Sequence, residues 1–494
     1  MGSDRSPAEI GSPSASGKSN FTVLQEELTN LAKQLDWGGG RLAGYVEDAD
    51  FPICILDLDG ETPMTPASCQ KLATLAAALD RLGADFQFVT PVEASGAIHD
   101  GVLTGNLIVR GSGDPSLSAR FDPQRRDVFG PFREWARRLK DNGLKAIQGH
   151  IIGDAAALDA STPAPGWPEG FAGRWEGPPI SALTFNENLM EFRWAAGRDH
   201  GRKARYDLAP RFEDIQVRNG VKIDARGGWN WRAFIRQPAS NLFDVAGFVP
   251  PRRAAVDCVA VPNPPKFFLW ALKTALIEEK IPVSGLPVPL SEVAFPDVAT
   301  SGSQALFTHH SPPLGQLAVP MLRYDLDLHA ELLFLTLGRE LNLGATFKGA
   351  SRAAADFLAQ RGVGLVGSLS VDGSGLSRLN RLAPKQFVSL FKTMARLPAG
   401  GAFFAAFPQG GQPGALSTRF QGSSAARDVA PGVFAVAGFL PGVHTLAGWT
   451  TTAGGRKLYF AFMLEGTALG KSAARDNLDQ LVLTLAHSPL RAGP

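Results

Sequence analysis

Ser68 and Lys71 lie three residues apart in Pro66-Ala67-Ser68-Cys69-Gln70-Lys71. Met64-Thr65-Pro66-Ala67 leads into a helical pattern in which Leu72, Leu75, Ala76, Leu79 and Leu82 share one apolar face and Gly83 ends the run. The pair therefore falls at a helix start, where residues i and i+3 share a face and a hydroxyl can touch an amine. Serine is a weak nucleophile without a base. A neutral lysine amine can be that base, and burial and the positive end of the helix dipole both depress its pKa. The same dipole stabilises a developing alkoxide. Ser-x-x-Lys alone is a weak pattern, with about two chance occurrences expected from average usage in a chain this long. A capping serine beside a solvated lysine is the plain structural alternative.

The elements that must position this pair are spread along the chain. Phe21 to Leu35 carries leucines at helical spacing. Leu42–Val46 and Pro52–Leu56, joined by the turn-prone 47–50 segment, read as a hairpin. From about 95 to 290, short strand-like runs such as Leu107–Arg110, Gly149–Ile152 and Asp214–Val217 alternate with Gly, Pro and Asp turns, which predicts one or two mainly β domains. Trp167, Trp175, Trp194, Trp229 and Trp231 fall in this stretch; core packing is a commoner use of such residues than a sugar platform. Helical patterns return over 314–322, 329–341, 349–362 and 384–397. Strand runs follow at 432–438, 444–450 and 457–463, and a final helix spans 477–487. Five strands divided between the two ends make one sheet only if the ends meet in space, with the middle as an insertion. The predicted organisation is therefore a leader or tag remnant over 1–20, a hydrolase domain over 21–95 plus 290–494, and inserted β-rich domains over 96–289.

Composition excludes several other classes. The 494 residues are 44% hydrophobic and 19% charged, which is ordinary globular usage. A net charge of +2 supplies no strong field for nucleic acid or an anionic membrane. The three cysteines, Cys54, Cys69 and Cys258, match no zinc spacing. No apolar run reaches the ~18 residues of a transmembrane segment. Met1-Gly2-Ser3 resembles an expression scar, and a native signal peptide is expected to have been removed. Nothing in the sequence sets the oligomeric state.

Several segments in order resemble the D-alanyl-D-alanine carboxypeptidase/endopeptidase family of penicillin-binding proteins (peptidase family S13, class C type). Pro66 to Lys71 resembles its nucleophile motif. Gly111-Ser112-Gly113-Asp114-Pro115 resembles its Gly-Asp-Pro turn, Gly149 to Asp154 its following strand, and Ser181 to Asn186 its "SALSxN" segment. Asp372-Gly373-Ser374-Gly375-Leu376-Ser377-Arg378, then Asn380-Arg381, is close to its most distinctive stretch. The resemblance implies an α/β (α+β) fold: a transpeptidase-like domain with a central antiparallel five-stranded sheet flanked by helices, interrupted by a mainly β insertion. It also implies a periplasmic or extracytoplasmic setting, and attack of Ser68 on a peptidoglycan peptide, or another small acyl substrate, through an acyl-enzyme.

Two of the family's three motifs are altered. Met321 to Glu331 matches "MxxxSDNxxAE", with Asp325 in place of the serine and Asp327 in place of the asparagine. Ala435 to Leu440 matches the Lys-Thr-Gly strand, with Val436 for lysine, Ala437 for threonine and only Gly438 retained. Ionised Asp325 can accept a proton but cannot donate one to a leaving amine. Valine and alanine cannot hold a substrate carboxylate, so β-lactams are expected to bind weakly. Asp325 or Asp327 beside Lys71 would raise its pKa and quench it as a base; alternatively an aspartate becomes the base and Lys71 a cationic stabiliser. A helix face with both aspartates solvated is the plain alternative. Tyr324, one residue before Asp325, could replace the second-motif serine after a one-residue shift. The oxyanion donors implied by the resemblance are the backbone N–H groups of Ser68 and Leu440. Arg378 and Arg419 are candidates to replace the missing lysine. The sequence thus leaves two readings: a serine hydrolase with changed preference, or a non-catalytic member that binds peptidoglycan or a protein partner.

Overall fold

The computed structural model describes residues 19–121, 127–159, 164–167, 174–224, 230–236, 240–364 and 366–492. These fall into two compact units. The first comprises the described parts of 1–86, 164–168 and 313–494, and the second those of 87–163 and 169–312.

The first unit is built on strands from both ends of the chain. Helix α1 (Asn20–Gln34) precedes strands β1 (Arg41–Asp48) and β2 (Cys54–Leu58), and α2 (Gln70–Leu82) follows. After the second unit come α3 (Leu314–Arg323), α4 (Asp327–Glu340), α5 (Phe347–Gln360), α6 (Pro384–Arg396), α7 (Gly400–Ala405) and α8 (Ser424–Val429). Strands β3 (Val433–Leu440), β4 (Val443–Thr451) and β5 (Lys457–Glu465) and helix α9 (Lys471–His487) complete it. The sheet order is β3-β4-β5-β1-β2, and every neighbouring pair is antiparallel. This is the five-stranded sheet expected from the two ends meeting: Ala43 lies opposite Met463, and Gly438 opposite Thr445.

Strand alternation divides the core into two layers. Tyr459, Ala461 and Met463 of β5 pack with α2 and α6, whereas Leu458, Phe460 and Phe462 pack with α1 and α9. The turn expected at 47–50 forms because the Asp48 carboxylate accepts hydrogen bonds from the Asp50 and Phe51 amides at 2.9 and 2.7 Å. Helix α2 is buried on all sides from Gln70 to Leu79, which makes it the central helix of the layer facing α6. Its C-terminus closes at Gly83, whose φ of 88° a side chain would resist.

The second unit is β-rich. A five-stranded mixed sheet runs in the order Pro287–Pro289, Ile151–Asp154, Asn106–Arg110, Val89–Ser95, Gln304–His310. Three three-stranded sheets and the helices Gly130–Asp141 and Pro264–Glu278 accompany it. The tryptophans do not form one platform. Trp194 is buried and donates to Asp257, Trp175 and Trp231 are exposed, and Trp167 belongs to the first unit; Trp229 lies outside the described residues. Among the described residues no helix is long and apolar enough to cross a membrane.

Candidate active site

Ser68 sits in a short 3-10 turn that runs into α2. It is the one residue between Met64 and Leu79 that is not buried, so the hydroxyl of this segment alone is open to a substrate. Ala67, before it, has a φ of 45°, a left-handed conformation that a residue with a Cβ adopts at a cost of about 1–2 kcal/mol. Two close approaches hold the turn. A Cβ on Gly375 would lie 1.8 Å from the Ala67 carbonyl oxygen, and one on Gly438 would lie 2.8 Å from the Ser68 nitrogen. Glycine at both positions lets the 372–378 loop and strand β3 pack directly on the serine turn.

Lys71, one turn further along α2, is fully buried. Its Nζ donates to Asp325 Oδ1 and to Asp327 Oδ1, each at 2.6 Å, and to the Ser374 carbonyl at 3.2 Å. The other oxygen of Asp325, Oδ2, accepts the Ser68 hydroxyl proton at 3.1 Å. Asp325 occupies the turn between α3 and α4 with a φ of 55°, and Asp327 opens α4. Burial pushes the Lys71 ammonium toward neutrality, but Asp325 and Asp327 outweigh it and hold the lysine protonated above its ordinary range. Two carboxyl groups face one ammonium, which can balance the charge of only one of them. Burial, with Asp325 and Asp372 adding to it against Lys71, raises the Asp327 carboxyl. The aspartates are thus neither solvated nor remote from the lysine. Tyr324 caps the end of α3, and Asp325 is the residue that reaches Ser68.

The loop that presents the Ser374 carbonyl is tied down by two buried carboxylates. Glu331 of α4 accepts the amides of Gly373 and Ser374 at 3.0 and 2.8 Å. Asp372 Oδ1 accepts from the Gly375 amide and Asn380 Nδ2 at 2.8 and 2.7 Å. Its Oδ2 accepts from the Ser377 amide and Trp167 Nε1 at 2.6 and 2.8 Å. Ser377 Oγ also donates to the Pro165 carbonyl. Neither Glu331 nor Trp167 carried a role in the sequence. Glu331 ended the second-motif stretch, which was a usable signal; nothing in the sequence connects Trp167 with residue 372.

Strand β3 supplies the third wall. Gly438 lies against Ser68, so the matched register places the altered motif at the site. Val436 is buried in the apolar layer with Cys69 and Leu72, and its carbonyl accepts the Cys69 thiol at 3.2 Å. Ala437 points to the opposite layer, beside α9. The expectation for Leu440 needs correction. The Ala435 amide donates to the Pro408 carbonyl, away from β4, and successive amides alternate sides. The amides of Ala437 and Phe439 therefore also point away from β4, toward the sheet edge. The Leu440 amide points into β4, where Leu440 pairs with Val443 across the two-residue Pro441-Gly442 turn. Arg419 does not serve as a replacement cation either, because its guanidinium is buried against Asp479 of α9. Arg378 is exposed and donates to the Pro441 carbonyl, at the tip of the β3–β4 hairpin. Among the described residues, no group of three or more His, Cys, Asp or Glu side chains could hold a metal ion.

A serine at the head of a buried helix, a lysine one turn on, a helix-to-helix turn over both and an edge strand alongside define a penicillin-binding-protein-like fold and site. Residues 24–488 match the D-Ala-D-Ala carboxypeptidase 3 (S13) family, and the chain belongs to it. It is 28% identical over 465 residues to the D-alanyl-D-alanine carboxypeptidase DacB of Haemophilus influenzae, covering 93% of this chain and 92% of that protein. It is 27% identical over 448 residues to the D-alanyl-D-alanine carboxypeptidase of Actinomadura sp. strain R39, covering 87% and 80%. The crystal structure of penicillin binding protein 4 (dacB) from Haemophilus influenzae superposes with a TM-score of 0.78 at 25% identity, over 94% of this chain and 99% of that one.

Proposed function

We propose that this chain is a serine hydrolase of the D-alanyl-D-alanine carboxypeptidase/endopeptidase type. It acts through a Ser68 acyl-enzyme on peptidoglycan peptides or a related acyl substrate, outside the cytoplasm. The observation that carries this reading is the placement of Ser68: the one open residue of its segment, with its hydroxyl bonded to Asp325 and Gly438 packed on its backbone nitrogen. The Ser68 amide and the edge-directed Phe439 amide are the two donors for the oxyanion of a tetrahedral intermediate. Val436 offers no cation for a substrate carboxylate, and Asp325 and Asp327 occupy the one buried cation, Lys71. Both features favour neutral or cationic acyl groups, and they predict weak binding of β-lactams, which carry a carboxylate. The test is fluorophosphonate labelling, which is expected in the wild type and absent in Ser68→Ala, with fluorescent penicillin labelling weak. Strong penicillin labelling would refute the reading of Val436.

The second reading is a non-catalytic member that binds peptidoglycan or a protein partner. The observation favouring it is the hold of two carboxylates on Lys71, which removes the family's base. A folded wild type that neither reacts with fluorophosphonate nor releases D-Ala would decide for it.

A further inference from the structure

The three acceptors around Lys71 settle what its amine can do. A protonated lysine has three N–H donors and no lone pair. Nζ lies within hydrogen-bond distance of two carboxylate oxygens and one carbonyl oxygen, so all three donors are used. A neutral amine in the same place would turn its lone pair on an oxygen of Asp325, Asp327 or Ser374. Lys71 therefore has no means of taking a proton from Ser68. Asp325 does, because it stands between them: Oδ1 on the ammonium and Oδ2 on the Ser68 hydroxyl. Its side chain keeps about a third of its surface exposed, within reach of a substrate, whereas that of Asp327 is down to 9%.

We infer that Asp325 is the catalytic proton acceptor and donor of this site, with Lys71 a positioning residue that orients and stabilises the carboxylate. The inference rests on Ser68 being the nucleophile. In acylation the Ser68 proton moves to Asp325 Oδ2 as Oγ bonds to the acyl carbon. The carbon–nitrogen bond then breaks as the same proton passes from Asp325 to the leaving amine. In deacylation Asp325 takes a proton from water as the water oxygen attacks the acyl carbon, and the acyl carbon–Oγ bond then breaks as that proton passes to Ser68 Oγ. The net change is amide plus water to acid plus amine, and Lys71 keeps its proton throughout. The charged groups packed around Asp325 are Lys71 of α2 and Asp327 of α4, with Glu331 of α4 and Asp372 of the following loop behind them.

The test is the second-order rate of Ser68 modification by a fluorophosphonate between pH 5 and 9. Its fluoride leaving group needs no proton, so the rate reads the acceptor role alone. Asp325→Asn is expected to lower the rate at least about 100-fold at every pH. Asp325→Glu, which keeps a carboxylate, is expected to retain measurable labelling. The wild-type rate is expected to lack the tenfold rise per pH unit that a titrating lysine base gives on the alkaline side. If Lys71 is the base and Asp325 merely quenches it, Asp325→Asn will react faster than wild type and its rate will climb with pH. That result overturns the inference and leaves the hydrolase reading intact. A folded wild type with no labelling at Ser68 overturns both. If Asp325→Asn does not fold, Asp325→Glu decides: labelling with the wild-type pH profile supports the inference, and an alkaline rise or no labelling overturns it.

Discussion

Asp372→Asn changes one atom of the loop that holds Lys71, and its cost follows from the hydrogen-bond count. The carboxylate receives four donors, two on each oxygen. It is fully buried, so no water can take a partner's place. Burial raises its carboxyl, while the four donors pull the other way. With every neighbour a donor, a protonated oxygen or an amide nitrogen would meet N–H groups head on. Asparagine must put its NH2 against one of two donor pairs: Ser377 N with Trp167 Nε1, or Gly375 N with Asn380 Nδ2. Two buried donors are then unpaired at about 1–3 kcal/mol each, for a loss of roughly 2–6 kcal/mol. The loss falls on the loop that carries the Ser374 carbonyl, so labelling of Ser68 should decline with it. Urea unfolding of both proteins, followed by tryptophan fluorescence, measures the difference as a shift in midpoint at constant slope. A variant within about 0.5 kcal/mol of wild type, the range of an ordinary surface change, would refute the claim that Asp372 is an ionised four-acceptor anchor.

Three further outcomes are expected. Asp327→Asn should gain stability relative to wild type as pH rises from 5 to 8. The raised carboxyl binds a proton in the folded state where the unfolded chain has lost it, so wild-type stability falls as pH rises; melting curves across that range check the sign. Gly438→Ala should lower fluorophosphonate labelling by 10-fold or more, on the order of 1.4 kcal/mol in barrier. Its Cβ would meet Thr445 Oγ1 at 2.3 Å and push the strand off the Ser68 nitrogen. Val436→Lys restores the family's cation at the position next to α2, and fluorescent penicillin labelling should rise; no increase would mean that the two aspartates alone exclude the β-lactam carboxylate.

The parts of this molecule legible in its sequence are those carried by local pattern. The β1–β2 hairpin followed from alternation around a turn closed by Asp48, and α2 from leucine spacing ended by Gly83. The sheet assembled from both ends was legible as a condition: five strand runs at the two ends make one sheet only if those ends meet. The approach of the two aspartates to Lys71 could be posed as a question, since the second motif aligned in register, but only the backbone turn at Asp325 answers it. Leu440 was misjudged because the direction of an amide depends on which neighbour a strand pairs with, and a residue list does not contain that. Arg419 was misjudged because its true partner, Asp479, lies on a helix whose face toward it cannot be read from spacing. Trp167 was beyond reach for the same reason: its bond to Asp372 joins segments separated by most of the second unit.

The pairing of β1 with β5 has a consequence for how the chain is made. Ala43 leaves a ribosome long before its partner Met463. Domains fold in the order of synthesis where they can. Here the strands of the 87–312 unit are complete while the hairpin that leads to Ser68 still lacks its neighbour. Closing so long a loop costs only slowly more with length, as ~(3/2)RT ln n, so the penalty is one of time rather than of final stability. Until strand β5 arrives, both edges of the 41–58 hairpin are unpaired, and the nucleophile helix has only that hairpin to pack on. Loss of strand β5 would therefore silence Ser68 without changing Ser68, Lys71 or Asp325. A chain still being translated cannot react through this site before strand β5 is made.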